Sequence, residues 1–119
     1  MSAPNLNSSS MIANGAVDRI TPNSTAEQSL TTNAAASGHT YITLSLTCAN
    51  TTTSGIAVRT NWFDGTNNNP IIQDAVVPGN AQMEITPTRK FLLENWTLKI
   101  TTPNTTAGIT FTHHYVDSH

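Results

Sequence analysis

Charge is scarce in this chain of 119 residues: five Lys and Arg stand against seven Asp and Glu, and only 10% of positions are charged. The nucleic-acid backbone and anionic membrane surfaces select for clustered Lys and Arg, and here only Arg89 and Lys90 are adjacent. Neither nucleic acid nor membrane is an expected partner. Cysteine is limited to Cys48, which excludes an internal disulfide framework and a multi-cysteine zinc site. No apolar run approaches the roughly 20 residues that span a bilayer. The first ten residues lack the basic and apolar regions of a secretory signal. The expectation is one small domain, made in the cytoplasm without export and held together by side-chain packing alone.

What is abundant is the small uncharged hydrogen-bonder: 21 Thr, 13 Asn and 10 Ser make up over a third of the chain. This composition accounts for the Asn-x-Ser/Thr sequons at Asn7, Asn23, Asn50, Asn95 and Asn104.

Helical periodicity is nearly absent outside Phe91-Leu92-Leu93-Glu94, whereas β-branched and aromatic residues recur at period two. In residues 39–48, Ile42, Leu44, Leu46 and Cys48 fall on one face and Tyr41, Thr43, Ser45 and Thr47 on the other. Asn50–Gly55 reads as a turn into a second strand, residues 56–63, where Ile56, Val58, Thr60 and Trp62 alternate with Ala57, Arg59, Asn61 and Phe63. These two strands are expected to pair as a hairpin. Asp64–Pro70 reads as a long exposed loop, and Pro78-Gly79 as the turn of another hairpin, joining residues 71–77 to 81–86. Trp96, Leu98 and Ile100 alternate inward, and Ile109, Phe111, His113 and Tyr115 share a face of the last strand.

Turn signals every 8 to 12 residues or so define an all-β antiparallel sandwich, jelly-roll or immunoglobulin-like, of about seven or eight strands. Residues 11–20 and 27–32 are weaker strand candidates, interrupted by Gly15 and by Pro22-Asn23-Ser24-Thr25. Residues 1–25 are accordingly expected to form an extended N-terminal arm, pinned by a neighbouring subunit, with the sandwich over 26–119.

The only dense group of potential ligands in the sequence is His113-His114-Tyr115-Val116-Asp117-Ser118-His119. Adjacent strand residues point to opposite faces, so His113 and His114 cannot share one ion. No metal or other cofactor is expected: one of the pair lies against the core rim, and His114 is solvated or at a subunit contact. No Gly-x-Ser-x-Gly elbow exists, Cys48 falls on an apolar face, and the six glycines sit singly rather than in a phosphate loop. Pairs drawn from Asp64, Asp74, Glu84 and Glu94 would be arbitrary, so no catalytic residue is assigned and an enzyme is not expected. A sugar-binding face is conceivable from Trp62, Trp96 and Asn67-Asn68-Asn69, although both tryptophans are in phase with core positions. Phe63, out of phase with the core, marks a contact surface.

Thr-rich outward faces with little charge suit large, permanent contacts. The features from Leu44 to Val116 resemble small structural proteins of tailed bacteriophage virions. The resemblance rests on Leu46-Thr-Cys-Ala-Asn50, Val58-Arg-Thr-Asn-Trp-Phe-Asp-Gly65, Val76-Val-Pro-Gly79, Leu92-Leu-Glu-Asn-Trp-Thr-Leu-Lys-Ile100 and Ile109-Thr-Phe-Thr-His-His-Tyr-Val116. It covers about 70 residues, in strand order and turns rather than in catalytic signatures. It implies a β-sandwich with an extended arm, serving as a capsid decoration or cement subunit or as a tail, neck or fibre component. The expected partners are major capsid or other virion proteins and further copies of the chain, a trimer being one form, and the expected location is the virion. Met11 and Ile12 in the arm, with Phe63, Asn67, Asn68 and His114, are the candidate interface residues.

Overall fold

The computed structural model describes residues 13–85, 91–103 and 108–119. Met11 and Ile12 lie outside the described residues. Nine strands are present among those described: β1 (Ala13–Ile20), β2 (Gln28–Thr32), β3 (Thr40–Asn50), β4 (Ile56–Phe63), β5 (Asn68–Val77), β6 (Ala81–Glu84), β7 (Phe91–Leu92), β8 (Thr97–Thr101) and β9 (Ile109–Ser118). They form two antiparallel sheets. One has the order β1-β9-β3-β6, with β7 also on β3, and the other has the order β2-β8-β4-β5.

β6 and β7 pair with different stretches of β3, Cys48 opposite Met83 and Ile42 opposite Phe91, so together they act as one interrupted strand. With that merger the chain is a single long ribbon bent at the β4–β5 hairpin. Its two arms wind together, pairing β1 with β9, β2 with β8 and β3 with β6 and β7. This is the jelly roll, an all-β architecture found in viral capsid and lectin domains.

The winding corrects the two expected hairpins. β3 and β4 lie in different sheets, as do β5 and β6, because the segments between them cross the sandwich end. Asn50 builds the first crossing. Its Nδ2 donates to the carbonyls of Ser54 and Val77, at 2.8 and 3.0 Å, and its Oδ1 accepts from the Thr52 backbone N–H and hydroxyl. The second crossing is stitched to the first by Asn80 N–H donating to the Thr52 carbonyl at 2.8 Å. Gly79 is required there, because a Cβ would lie 2.5 Å from the Thr53 carbonyl carbon and oxygen. The β4–β5 loop is also shorter than expected. β5 begins at Asn68, and the Asp64 carboxylate closes the turn by accepting the N–H groups of Thr66 and Asn67.

The arm boundary moves as well. Residues 13–20, placed in the arm by the sequence, form β1 and pair at every position with β9, from Ala13 opposite Ser118 to Ile20 opposite Phe111. Gly15 interrupts the pattern, but an edge strand with one face in solvent needs only ladder hydrogen bonds and an inner face. Ala16, Asp18 and Ile20 supply that face opposite Tyr115, His113 and Phe111.

Leu46 and Cys48 from β3, Val58 and Trp62 from β4, Leu98 and Ile100 from β8, and Ile109 and Phe111 from β9 make the core between the sheets. Burial pushes the Cys48 thiol up to about 12, leaving it protonated and inert. Leu44 is not in this core. A bulge between Thr43 and Ser45 inserts one residue into β3, so Thr43 turns inward, 2% exposed, and Leu44 turns out, 59% exposed.

Candidate functional site

The inner face of β9 changes character along its length. Ile109 and Phe111 are apolar core; His113, Tyr115 and Asp117 follow at period two, toward the sandwich end opposite the stitched crossings. Around this polar half the fold gathers both tyrosines and three of the four histidines of the chain. The His113 ring stacks on Tyr115 at 4.7 Å between centroids, Tyr115 lies 4.8 Å from Tyr41, Tyr41 meets His39 edge-on at 6.4 Å, and His39 stacks on His119 at 4.1 Å. The result is a column of rings from the core to the surface.

Its inner end is a closed polar network. His113 is fully buried, with Nδ1 2.8 Å from Thr31 Oγ1 and Nε2 2.9 Å from Thr43 Oγ1. Thr31 Oγ1 donates to Asp18 Oδ2 at 2.8 Å, and the Tyr115 hydroxyl donates to the same oxygen at 3.1 Å. A hydroxyl has one proton. Since that of Thr31 goes to Asp18, Thr31 must accept from Nδ1–H of His113, and Nε2 then accepts from Thr43. Burial lowers His113 from 6.5 to about 4, against the pull of Asp18 and with a smaller push from His114. Burial, then Asp18, raises the Tyr115 hydroxyl, and burial, then Asp117 and Asp18, raises that of Tyr41.

Thr43, His113, Thr31 and Asp18 superficially resemble a nucleophile, base and orienting acid. Thr43 and Thr31 are each only 2% exposed and His113 not at all, so a substrate cannot reach the hydroxyl. An imidazole held near 4 is also a weak base. The network is a lock joining the edge strand β1 to β2, β3 and β9. A shallow open hollow of about 390 Å³ lies at the other sandwich end, lined by Ala49, Asn50, Thr51, Asn80, Ala81 and Gln82, with no titratable group.

The outer end of the column is different. His39 Nδ1 lies 2.6 Å from Asp117 Oδ1, and His119 Nδ1 lies 3.7 Å from the same oxygen. These three residues present ligand atoms within 4.8 Å of one another. The sequence had His119 in view only as part of a tail around His114. What it missed is the strand-period pair Asp117 and His119, with His39 brought opposite by the β3–β9 register.

The other sequence candidates separate onto two surfaces. Phe63, paired with Asn68, lies on the outer face of the four-stranded sheet, with the Lys99 ammonium 4.1 Å from its ring centre. Asn67 and Asn68 are exposed beside it at the hairpin tip. His114 is exposed on the outer face of the opposite sheet, paired with Val17 and Ser45. Trp62 is 4% exposed and offers no ring face to a sugar.

Around His114 lies an apolar band that the sequence reading did not identify. Gly15, Val116, Ile42 and Phe91 are cross-strand neighbours in one row; Val17 and Ser45 flank His114 in the next, with the bulged Leu44 beside Ser45. Val17, Leu44 and Phe91 are 57, 59 and 52% exposed. Compared with family models, curated proteins and solved structures, the chain has no match among them.

Proposed function

We propose that this chain is a non-enzymatic virion structural subunit, a decoration or cement protein of a tailed-phage capsid, that docks on shell proteins through the outer face of its five-stranded sheet. The observation that carries this reading is the apolar band over β1, β9, β3 and β7, where Val17 and Phe91 on adjoining rows and Leu44 at the β3 bulge stand more than half exposed. Exposed apolar side chains scattered singly are ordinary, whereas a contiguous set marks a contact surface. Half-buried Thr47, Thr110 and Thr112 continue the face with hydroxyls that hydrogen-bond a partner at little desolvation cost. The jelly roll agrees with a capsid-associated role, although a fold alone does not assign function. For its other common use, sugar binding, Trp62 is buried and presents no ring, which leaves only the half-buried Trp96 of the two tryptophans. A tail, neck or fibre location would use the same face, and microscopy of particles carrying a C-terminal label separates the two.

The test is incorporation into particles by Leu44→Asp and Phe91→Asp chains. Both side chains point to solvent, so the variants should melt like the parent yet be lost from purified particles. Full occupancy by both variants, or turnover of a substrate by the pure chain, overturns the reading.

A further inference from the structure

We propose that His39, Asp117 and His119 form a binding site for a divalent transition-metal ion of the zinc class, clamping the start of β3 to the end of β9. The convergence is set by the backbone. Thr40 pairs with Ser118 and Tyr41 with Asp117, so the antiparallel register brings His39 and His119 together just beyond the last pair. Asp117 and His119, two apart, project from the same side of the strand. Two imidazoles and one carboxylate are a zinc donor set that leaves a fourth position open for water or a partner's ligand. Side-chain exposures of 30, 26 and 32% for His39, Asp117 and His119 leave that position open to solvent.

The spacing is close to what an ion requires. Metal–ligand bonds of about 2.0–2.2 Å in a tetrahedron put donor atoms about 3.3 Å apart. Here the Asp117 oxygen is 2.6 Å from one imidazole nitrogen, a hydrogen bond, and 3.7 Å from the other. These two separations each change by less than about 1 Å to meet that geometry, and the widest spacing within the group, up to 4.8 Å, closes by about 1.5 Å. A second observation points the same way: His119 Nδ1 is sealed from solvent yet has no hydrogen-bond partner among the described residues. A buried ring nitrogen left without a partner is costly, and a metal ion would satisfy it. The charge of Asp117 is met by these two imidazoles and by no Lys or Arg among the described residues. One rearrangement is required. The His39 and His119 rings are stacked with 19° between their planes, and near-parallel rings cannot both aim an in-plane lone pair at one ion. Binding therefore swings the His119 ring out of the stack, and His39 Nδ1 loses its hydrogen bond to Asp117.

The test uses the full chain without a polyhistidine tag, stripped with chelator and titrated with Zn²⁺ by calorimetry and with Co²⁺ by visible absorption. The expected result is one ion per chain, a higher melting temperature with Zn²⁺, and the visible bands of nitrogen-and-oxygen-ligated Co²⁺. His119→Ala and Asp117→Asn should each weaken binding by more than about tenfold, while His114→Ala, on the other face, leaves it unchanged. If a variant fails to fold, Cu²⁺ broadening of imidazole NMR signals in the parent chain decides: broadening at His39 and His119 supports the site. Broadening centred on His114, no saturable binding, or unaltered affinity in folded His119→Ala and Asp117→Asn chains overturns it.

Discussion

Because the Thr31 hydroxyl gives its one proton to Asp18, Nδ1 of His113 donates to Thr31 at 2.8 Å, and these two contacts fix the proton positions of the network that holds the first strand to the sandwich. A neutral ring serves this network; a protonated one would add a second N–H at Nε2, where Thr43 already donates.

Acid should therefore loosen the fold through His113. Its folded value of about 4 lies below its ordinary 6.5, so the stabilisation is complete above pH ~6.5 and lost as pH falls toward ~4. Asp18, facing it across the strand pair, opposes the shift with its charge, and His114, on the other face of the same strand, reinforces it. The loss amounts to about 3 kcal/mol. Urea unfolding between pH 7 and 4 should show it, and a folded His113→Gln chain should show a flatter profile.

Removing hydroxyls at constant shape tests the proton assignment. Thr43→Val deprives Nε2 of its donor, and Thr31→Val deprives both His113 Nδ1–H and Asp18 of a partner. Thr43→Val should cost about 1–3 kcal/mol and Thr31→Val more, because it orphans a charged group as well. Denaturant midpoints rank the two.

Two glycines should respond oppositely to alanine. At Gly79 the added Cβ meets Thr53 backbone at 2.5 Å, which cannot yield cheaply because the two crossings are stitched together. Gly79→Ala should cost about 1–3 kcal/mol. Gly15 has nothing within 4 Å, so Gly15→Ala should be neutral or slightly stabilising by restricting the unfolded chain. Thermal melts of both variants check the contrast.

Deleting residues 1–25 should not leave an intact sandwich. It removes β1, which covers Phe111, His113 and Tyr115, along with Asp18 from the buried network. A chain starting at residue 26 should melt well below the parent and exchange its β9 amides quickly, as read by hydrogen exchange.

Alternation on β9 was legible because each inward residue from Ile109 to Tyr115 is buried against the opposite sheet. The jelly-roll or immunoglobulin-like sandwich followed from turn spacing. Leu44 misled because period two carries no mark of a bulge, and a one-residue slip reverses every side chain beyond it. Asn50–Gly55 and Pro78-Gly79 announced reversals correctly, but turn chemistry does not say whether the chain returns to the same sheet or crosses to the other. The β1 edge strand was legible only as a weak candidate over residues 11–20 because solvent covers most of its surface, leaving little hydrophobic pattern. His39 and Asp117 are 78 positions apart, so only the β3–β9 register could join them.

The docking face admits a direct chemical readout, because the one native thiol, Cys48, is buried and held at about 12. A Leu44→Cys chain then carries a single reactive thiol in the centre of the apolar band. Maleimide labelling should be fast on the free chain and strongly suppressed on the chain bound in particles. Equal labelling rates in the two states would contradict docking through this face.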